Sequence, residues 1–247
     1  MAGVPWVDTF VSVPTVGLQT KPNFGALFTY PEKLQPMLDE AMERERELSF
    51  GLDRNGNGFQ FRTEKGFTYT VNVNNIVVAF EYTPKDTQAA GALPLPELPP
   101  VEPFSALVEQ TVQQMVRVLS LVATAEHPQV LRFGLAVKSL MERSKAPPGI
   151  TEMITHQTSF YPGEPIKAQT AYLVNIEKTR TYTDRCHHHY LFDEVEKRDD
   201  LTVLLDWQRV FETPIRLSSQ VADTLRPMKD AALAYFEKVG KGGLRDG

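Results

Sequence analysis

Residues 67–74, Phe-Thr-Tyr-Thr-Val-Asn-Val-Asn, alternate apolar and polar side chains without a break. Successive side chains of a strand point to opposite faces, so the run fits a half-buried strand and not a helix. Its neighbours have the same character. Leu48, Phe50 and Leu52 alternate, then Phe59 and Phe61, and Ile76-Val-Val-Ala-Phe-Glu-Tyr82 extends or follows the run. The N-terminal third is therefore expected to hold a β-meander whose apolar face needs cover.

The remaining periodicities supply that cover. Residues 5–14 read as an opening strand, with Val7, Thr9, Val11 and Val13 alternating against Asp8, Phe10 and Ser12. A first helix is expected over 31–47, with Leu34, Met37, Leu38, Ala41 and Met42 as its stripe. Phe104, Leu107, Val108, Thr111, Val112, Met115, Val116, Leu119 and Val122 recur at helical spacing and mark a central helix. Residues 130–137 read as a buried strand, and 168–182, 186–197 and 201–212 as three more. A closing helix over 218–239 would turn Val221, Leu225, Met228, Ala232, Tyr235, Phe236 and Val239 inward. Pro227 is expected to kink or restart it and Gly240 to end it.

The fold class that follows is α+β: antiparallel sheet(s) in two loosely similar halves, helices packed on one face, and a C-terminal helix. The segments are 1–83, a connector over 84–103 and 104–247, expected to pack as one compact unit. A length of 247 residues suits one large domain or two small halves. The connector holds six prolines and no periodicity, so it reads as an extended spacer. Its two PxxP spacings, Pro96/Pro99 and Pro100/Pro103, are candidate contacts for an aromatic groove on a partner.

The net charge of -5 disfavours a protein dominated by phosphate contacts. A single cysteine, Cys186, excludes an intrachain disulfide framework. The N-terminus lacks a basic segment followed by an apolar one, and no run approaches about 18 apolar residues, so a cytoplasmic protein without a membrane partner is expected.

Asp53-Arg-Asn-Gly-Asn-Gly-Phe-Gln-Phe-Arg-Thr-Glu64 has the spacing of a calcium loop, with Asp53, Asn55 and Asn57 at alternate positions and Glu64 at the twelfth. Such a loop needs a helix to fold Glu64 back, whereas Thr63, Thr68, Tyr69, Thr70 and Val71 favour a strand. An extended Phe59–Glu64 segment would put Glu64 about 20 Å from Gly58 at ~3.3 Å per residue. The Asn-Gly steps fit a hairpin tip instead.

Cys186-His187-His188-His189 is the most chemically loaded patch, since thiolate and imidazole are good metal ligands. Strand alternation places Cys186 and His188 on one face and His187 and His189 on the other, so a third ligand such as His156, Asp184 or Asp193 would have to come from elsewhere. His187, His189 and Asp206 are the candidate acid–base residues, and Cys186, His187, His188 and His189 the candidate metal ligands. Arg180, Arg185 and Arg209 form a candidate anion-binding cluster, with cross-strand pairing to Glu177, Glu194 and Glu212 as the ordinary alternative. No nucleophile elbow, phosphate loop or complete dinucleotide fingerprint is present, and no cofactor is expected.

Two segments carry a resemblance. Arg132-Phe133-Gly134-Leu135, following the central helix, and Leu205-Asp206-Trp207, preceding the closing helix, resemble motifs of a sporadically distributed, poorly characterised bacterial family of α+β proteins of about this length. The family strand continues with Arg, an aromatic and Asn, where this chain has Ala136, Val137 and Lys138. The resemblance brings no reaction or catalytic residue, and its distribution implies a mobile-element or defence-linked setting.

The expectation is a non-enzymatic interaction or regulatory scaffold that binds another protein or itself. A metal-dependent or hydrolytic enzyme built on residues 186–189 and a nucleic-acid accessory factor are the alternatives.

Overall fold

A computed structural model describes residues 11–44, 49–52, 58–63, 65–82, 85–86, 96–97, 101–126, 129–158, 167–195, 198–216 and 221–242. The antiparallel α+β architecture is as expected, with one continuous sheet and helices on one face. In chain order the elements are β1 (Val11–Thr20), α1 (Ala26–Arg44), β2 (Ser49–Leu52), β3 (Gly58–Arg62), β4 (Phe67–Asn72), β5 (Asn75–Phe80), β6 (Lys85–Asp86), β7 (Pro96–Glu97), α2 (Phe104–Glu126), β8 (Gln129–Glu142), α3 (Pro148–Thr158), β9 (Lys167–Lys178), β10 (Tyr182–Val195), β11 (Arg198–Arg216) and α4 (Val221–Lys241). Among the described residues a nine-stranded sheet runs in the order β2-β3-β4-β5-β1-β8-β11-β10-β9.

The two halves share a plan. Each begins with a strand and a helix, continues as a meander, and brings its last strand back against its first: β5 against β1, and β11 against β8. Each then adds a helix, α2 or α4. The first strands of the two halves pair antiparallel at the centre, Val11 opposite Leu140 through Gln19 opposite Arg132. One residue further the register shifts and Thr20 faces Val130, so Leu131 is the extra residue of a bulge.

Alternation fixes which side of the sheet meets the helices. Val16, Leu18, Val78, Phe133, Leu135, Val137, Val203, Leu205 and Trp207 are buried beneath them. On the opening strand Ser12 points inward, where its hydroxyl lies 2.7 Å from that of Ser139, while Val11 is exposed. A shared hydrogen bond removes the penalty of burying two hydroxyls. β5 pairs only with Thr15 to Gln19, so at Pro14 β1 has no β5 neighbour and the missing N–H is tolerated on that side. Residues 5–10 lie outside the described set.

The meander is more deeply buried than a half-exposed strand. Phe61 stacks on its cross-strand partner Tyr69 with centroids 4.4 Å apart, and the Tyr69 hydroxyl donates to Gln114 of α2 at 2.9 Å. Residues 76–80 form a strand of their own after a turn in which the Asn72 side chain accepts from the N–H groups of Asn74 and Asn75. β2 and β3 pair with Leu52 opposite Phe59, so Phe59–Arg62 is extended, and no helix leaves the calcium-like segment there. Asp53, Asn55, Asn57 and Glu64 lie outside the described residues. Within the connector, β6 and β7 form a two-residue ribbon where only an irregular spacer was expected. Pro103 is exposed and its carbonyl receives the first N–H groups of α2.

The helices match their patterns with local shifts. α1 begins at Ala26, a turn earlier than the sequence suggests, with Pro31 and Pro36 inside it. Val118 is fully buried in α2, whereas Val116 is only partly so. α4 runs through Pro227 without restarting and ends at Gly242, not Gly240. Gly242 adopts a left-handed φ of 73°, a conformation that glycine reaches without steric cost. Lys229 of α4 is buried and paired with Glu109 of α2 at 2.7 Å, which ties the two long helices together. Helix α3 has no counterpart in the sequence reading, because only Ile150 and Ile154 give it a buried apolar face. No described helix is long and apolar enough to cross a membrane.

α3 meets the end of α4 through glycine. A Cβ on Gly149 would lie 2.4 Å from both the Val239 carbonyl oxygen and the Gly242 nitrogen, and backbone cannot swing aside. Gly149→Ala is expected to lower stability by about 2–3 kcal/mol. Gly17→Ala, whose Cβ would meet nothing nearer than 3.6 Å, is expected to leave stability unchanged or raise it. Denaturant titration of both variants checks the pair.

Candidate functional site

β10 carries the cysteine and histidines, and the sheet separates them as alternation requires. Cys186 and His188 point toward the helices and are buried, His187 is exposed on the open face, and His189 is half-buried on that same face. Burial pushes the Cys186 thiol up, with the neighbouring Asp206 carboxyl adding to the effect, so it is held as a thiol and not as the reactive thiolate.

His188 is fixed from both sides. Its Nδ1 lies 2.8 Å from the Tyr190 hydroxyl and its Nε2 2.8 Å from the Tyr235 hydroxyl of α4. A neutral imidazole has one donor and one acceptor nitrogen, and both are engaged here, which leaves no lone pair for a metal without breaking the cluster. Burial, reinforced by His187, lowers the His188 pKa to about 4. Burial likewise raises both tyrosine hydroxyls above their ordinary value. The cluster joins the last helix to the sheet. Among the described residues the His189 Nε2, shut away from solvent, has no hydrogen-bond partner. Among the described residues no three His, Cys, Asp or Glu side chains are grouped to hold a metal ion. The side chain of Asp193 lies outside the described set.

Among the described residues no ion pair joins Arg180, Arg185 or Arg209 to Glu177 or Glu212, and the side chain of Glu194 lies outside the described set. Arg209 makes a two-pronged bond with Asp184, directly opposite on β10, at 2.7 and 2.6 Å, and its guanidinium lies 3.9 Å over the Tyr182 ring. The Asp184 contact raises the Arg209 pKa further, against the opposing effect of burial. Arg180 is exposed in the β9–β10 turn. Arg185 instead donates to the Gln208 side-chain carbonyl, at 3.3 Å from Nε and 3.2 Å from Nη2.

That glutamine organises a second cluster on the open face. Arg132 donates to the same Gln208 oxygen at 3.0 Å, and the Gln208 amide donates to Asp206 at 2.5 Å. Asp206 sits opposite His187 on β10 and Ala136 on β8. Burial raises its pKa, opposed by the Gln208 hydrogen bond and by the nearby His187, Arg132 and Arg185. Of the acid–base candidates, then, His187 and Asp206 are cross-strand neighbours, while His189 is two residues along the same face. Arg132 and Gln208 escape a sequence-only reading of the site because their approach to Arg185 depends on strand order.

Two of the four PxxP prolines lie among the described residues. Pro96 belongs to the β6–β7 ribbon, Pro103 to the entry of α2, and Pro99 and Pro100 lie outside the described residues.

No protein-family model and no curated protein matches the chain. A solved rolling circle replication initiator protein from Geobacillus stearothermophilus aligns over 91% of this chain and 78% of its own, at 6% identity and a TM-score of 0.29, a likeness that supports no conclusion.

The His188 cluster makes stability depend on pH. Because the folded state holds His188 neutral to about 4 while the unfolded side chain takes a proton near 6.5, the stabilisation is complete above 6.5 and is lost as pH falls toward 4. The difference corresponds to roughly 3 kcal/mol at most. Denaturant titrations at several values across this window should show stability falling with pH, and His188→Gln should abolish most of that slope. An unchanged slope in the variant would remove the cluster as its cause.

Proposed function

We propose that the chain is a non-enzymatic interaction module that associates with a second copy of itself through β9. The observation that carries this reading is the state of that strand. Among the described residues β9 ends the sheet; it has twelve residues and presents Tyr172, Leu173, Val174 and Ile176 to solvent, with Leu173 52% exposed. Along β10, by contrast, Cys186 and His188 are buried, so the helix layer stops one strand short of the edge. A long apolar edge with unused backbone donors and acceptors is a template for another strand.

Symmetry fits a second copy as the occupant. Antiparallel pairing of two β9 strands about a two-fold axis through Tyr172 sets each Val174 beside the other copy's Thr170, on the helix side of the sheet and short of the bulge at Ile176. The sheet would then continue across the dimer, with apolar side chains of both copies on the helix side.

The family resemblance belongs to the same proposal. Its two segments lie on β8 and β11, with Leu135 opposite Trp207 and Gly134 opposite Gln208. Both are remote from β9, so the motifs and the interface would be separate features of one scaffold. A mobile-element or defence-linked role remains part of this reading.

Sedimentation velocity of the full chain should give a dimer at micromolar concentration. Val174→Lys should shift it to a monomer by at least tenfold weaker association, with far-UV circular dichroism unchanged. A wild-type monomer, or a folded Val174→Lys dimer, would end the reading.

A further inference from the structure

The open face of the sheet contains a hollow of about 200 Å³ between β5, β1, β8 and β11. Its floor is made where Gly17 of β1 lies opposite Gly134 of β8, with Ala136 in the next row. Mid-strand glycine weakens a sheet and usually has a local reason. The usual reasons are missing here. Neither glycine has a positive φ, and added Cβ atoms would make ordinary contacts, the nearest 3.6 Å at Gly17 and 3.5 Å at Gly134. What the two glycines create is space.

Arg132 lines the hollow, and Arg185 of β10 reaches its Gln208 wall from beyond the lining. Arg132 and Arg185 converge on one neutral oxygen of Gln208, and among the described residues neither forms an ion pair. Two guanidinium groups sharing one carbonyl leave most of their N–H groups free for a stronger acceptor. The bulge at Leu131 keeps Arg132 on this face while Val130 turns into the core. Gln19, the cross-strand neighbour of Arg132, and Asn75 beyond it on β5 supply amides in the same row of the sheet. Asp206 contributes one negative charge at the wall, fewer than the two arginines supply.

We propose that this hollow binds a small organic oxyanion, its phosphate or carboxylate group held by Arg132 and Arg185 and its polar body lying over the Gly17–Gly134 floor toward Gln19 and Asn75. The guanidinium fork recognises either oxyanion in two-pronged fashion. Gln208 holds both arginines together by accepting from each of them. Dimerisation through β9 is not required, since no residue of the hollow comes from that strand.

The test is a two-dimensional NMR titration of the full chain with inorganic phosphate, adenosine monophosphate and citrate, against sodium chloride at matched ionic strength. Saturable shifts confined to the Arg132 and Arg185 Nε–H signals and to open-face amides of β1, β8 and β11 are expected, and comparing the phosphate probes with citrate separates the two oxyanion sources. Arg132→Gln with Arg185→Gln should weaken binding at least tenfold. Gly134→Val, which β geometry accepts, should weaken adenosine monophosphate or citrate at least tenfold while sparing inorganic phosphate. Shifts no larger than those of chloride, shifts located elsewhere, or unchanged binding in the folded double variant would each overturn the proposal. Should the double variant not fold, the wild-type shift map and Gly134→Val decide the matter.

Discussion

The antiparallel pairing of β1 with β8 is the constraint on which the rest of the structure depends. Among the described residues it is the strand pairing that joins the two halves, and it turns two four- or five-stranded sheets into one. Each half needs the other for a physical reason. The buried residues of both halves form one continuous hydrophobic cluster. Joined, the halves place Val16, Leu18, Leu135 and Val137 in adjacent rows under α2 and α4, and Ser12 and Ser139 satisfy each other across the junction.

The same junction gives the sheet two unlike faces. On the covered face, polar groups are paired with little left over: Lys229 with Glu109, Arg209 with Asp184, and His188 with two tyrosine hydroxyls. On the open face the centre is stripped of side chains at Gly17 and Gly134, and cations gather beside it. A bulge that flips the alternation at Leu131 sets the boundary between these regimes. Packing explains the first face. The second is better explained by something that approaches the backbone closely.

Much of this was legible in the sequence because period and face are linked. The run Phe67–Asn72, the stripe of α2, and the inner face of α4 from Leu225 to Val239 were each fixed by apolar spacing alone. The alternation of Cys186, His187, His188 and His189 was equally plain. What escaped depends on neighbours. Nothing local to Ser12 announces that Ser139 lies opposite it and satisfies its hydroxyl. Gly242, not Gly240, ends α4, because the chain must turn where α3 packs against it. Arg132, Arg185 and Gln208 are far apart in sequence and meet only through the order β8-β11-β10. Helix α3 was missed because two buried isoleucines are too few to make a pattern.

Amide hydrogen exchange under native conditions, followed residue by residue, tests the central claim most directly. If β1 and β8 form the joint of one cooperative unit, their inward-bonded amides will exchange only through global unfolding and with the same free energy on both strands. Exchange of β1 together with β3–β5 at one free energy, and of β8 together with β10 and β11 at a clearly different one, would show two independent halves and contradict the account.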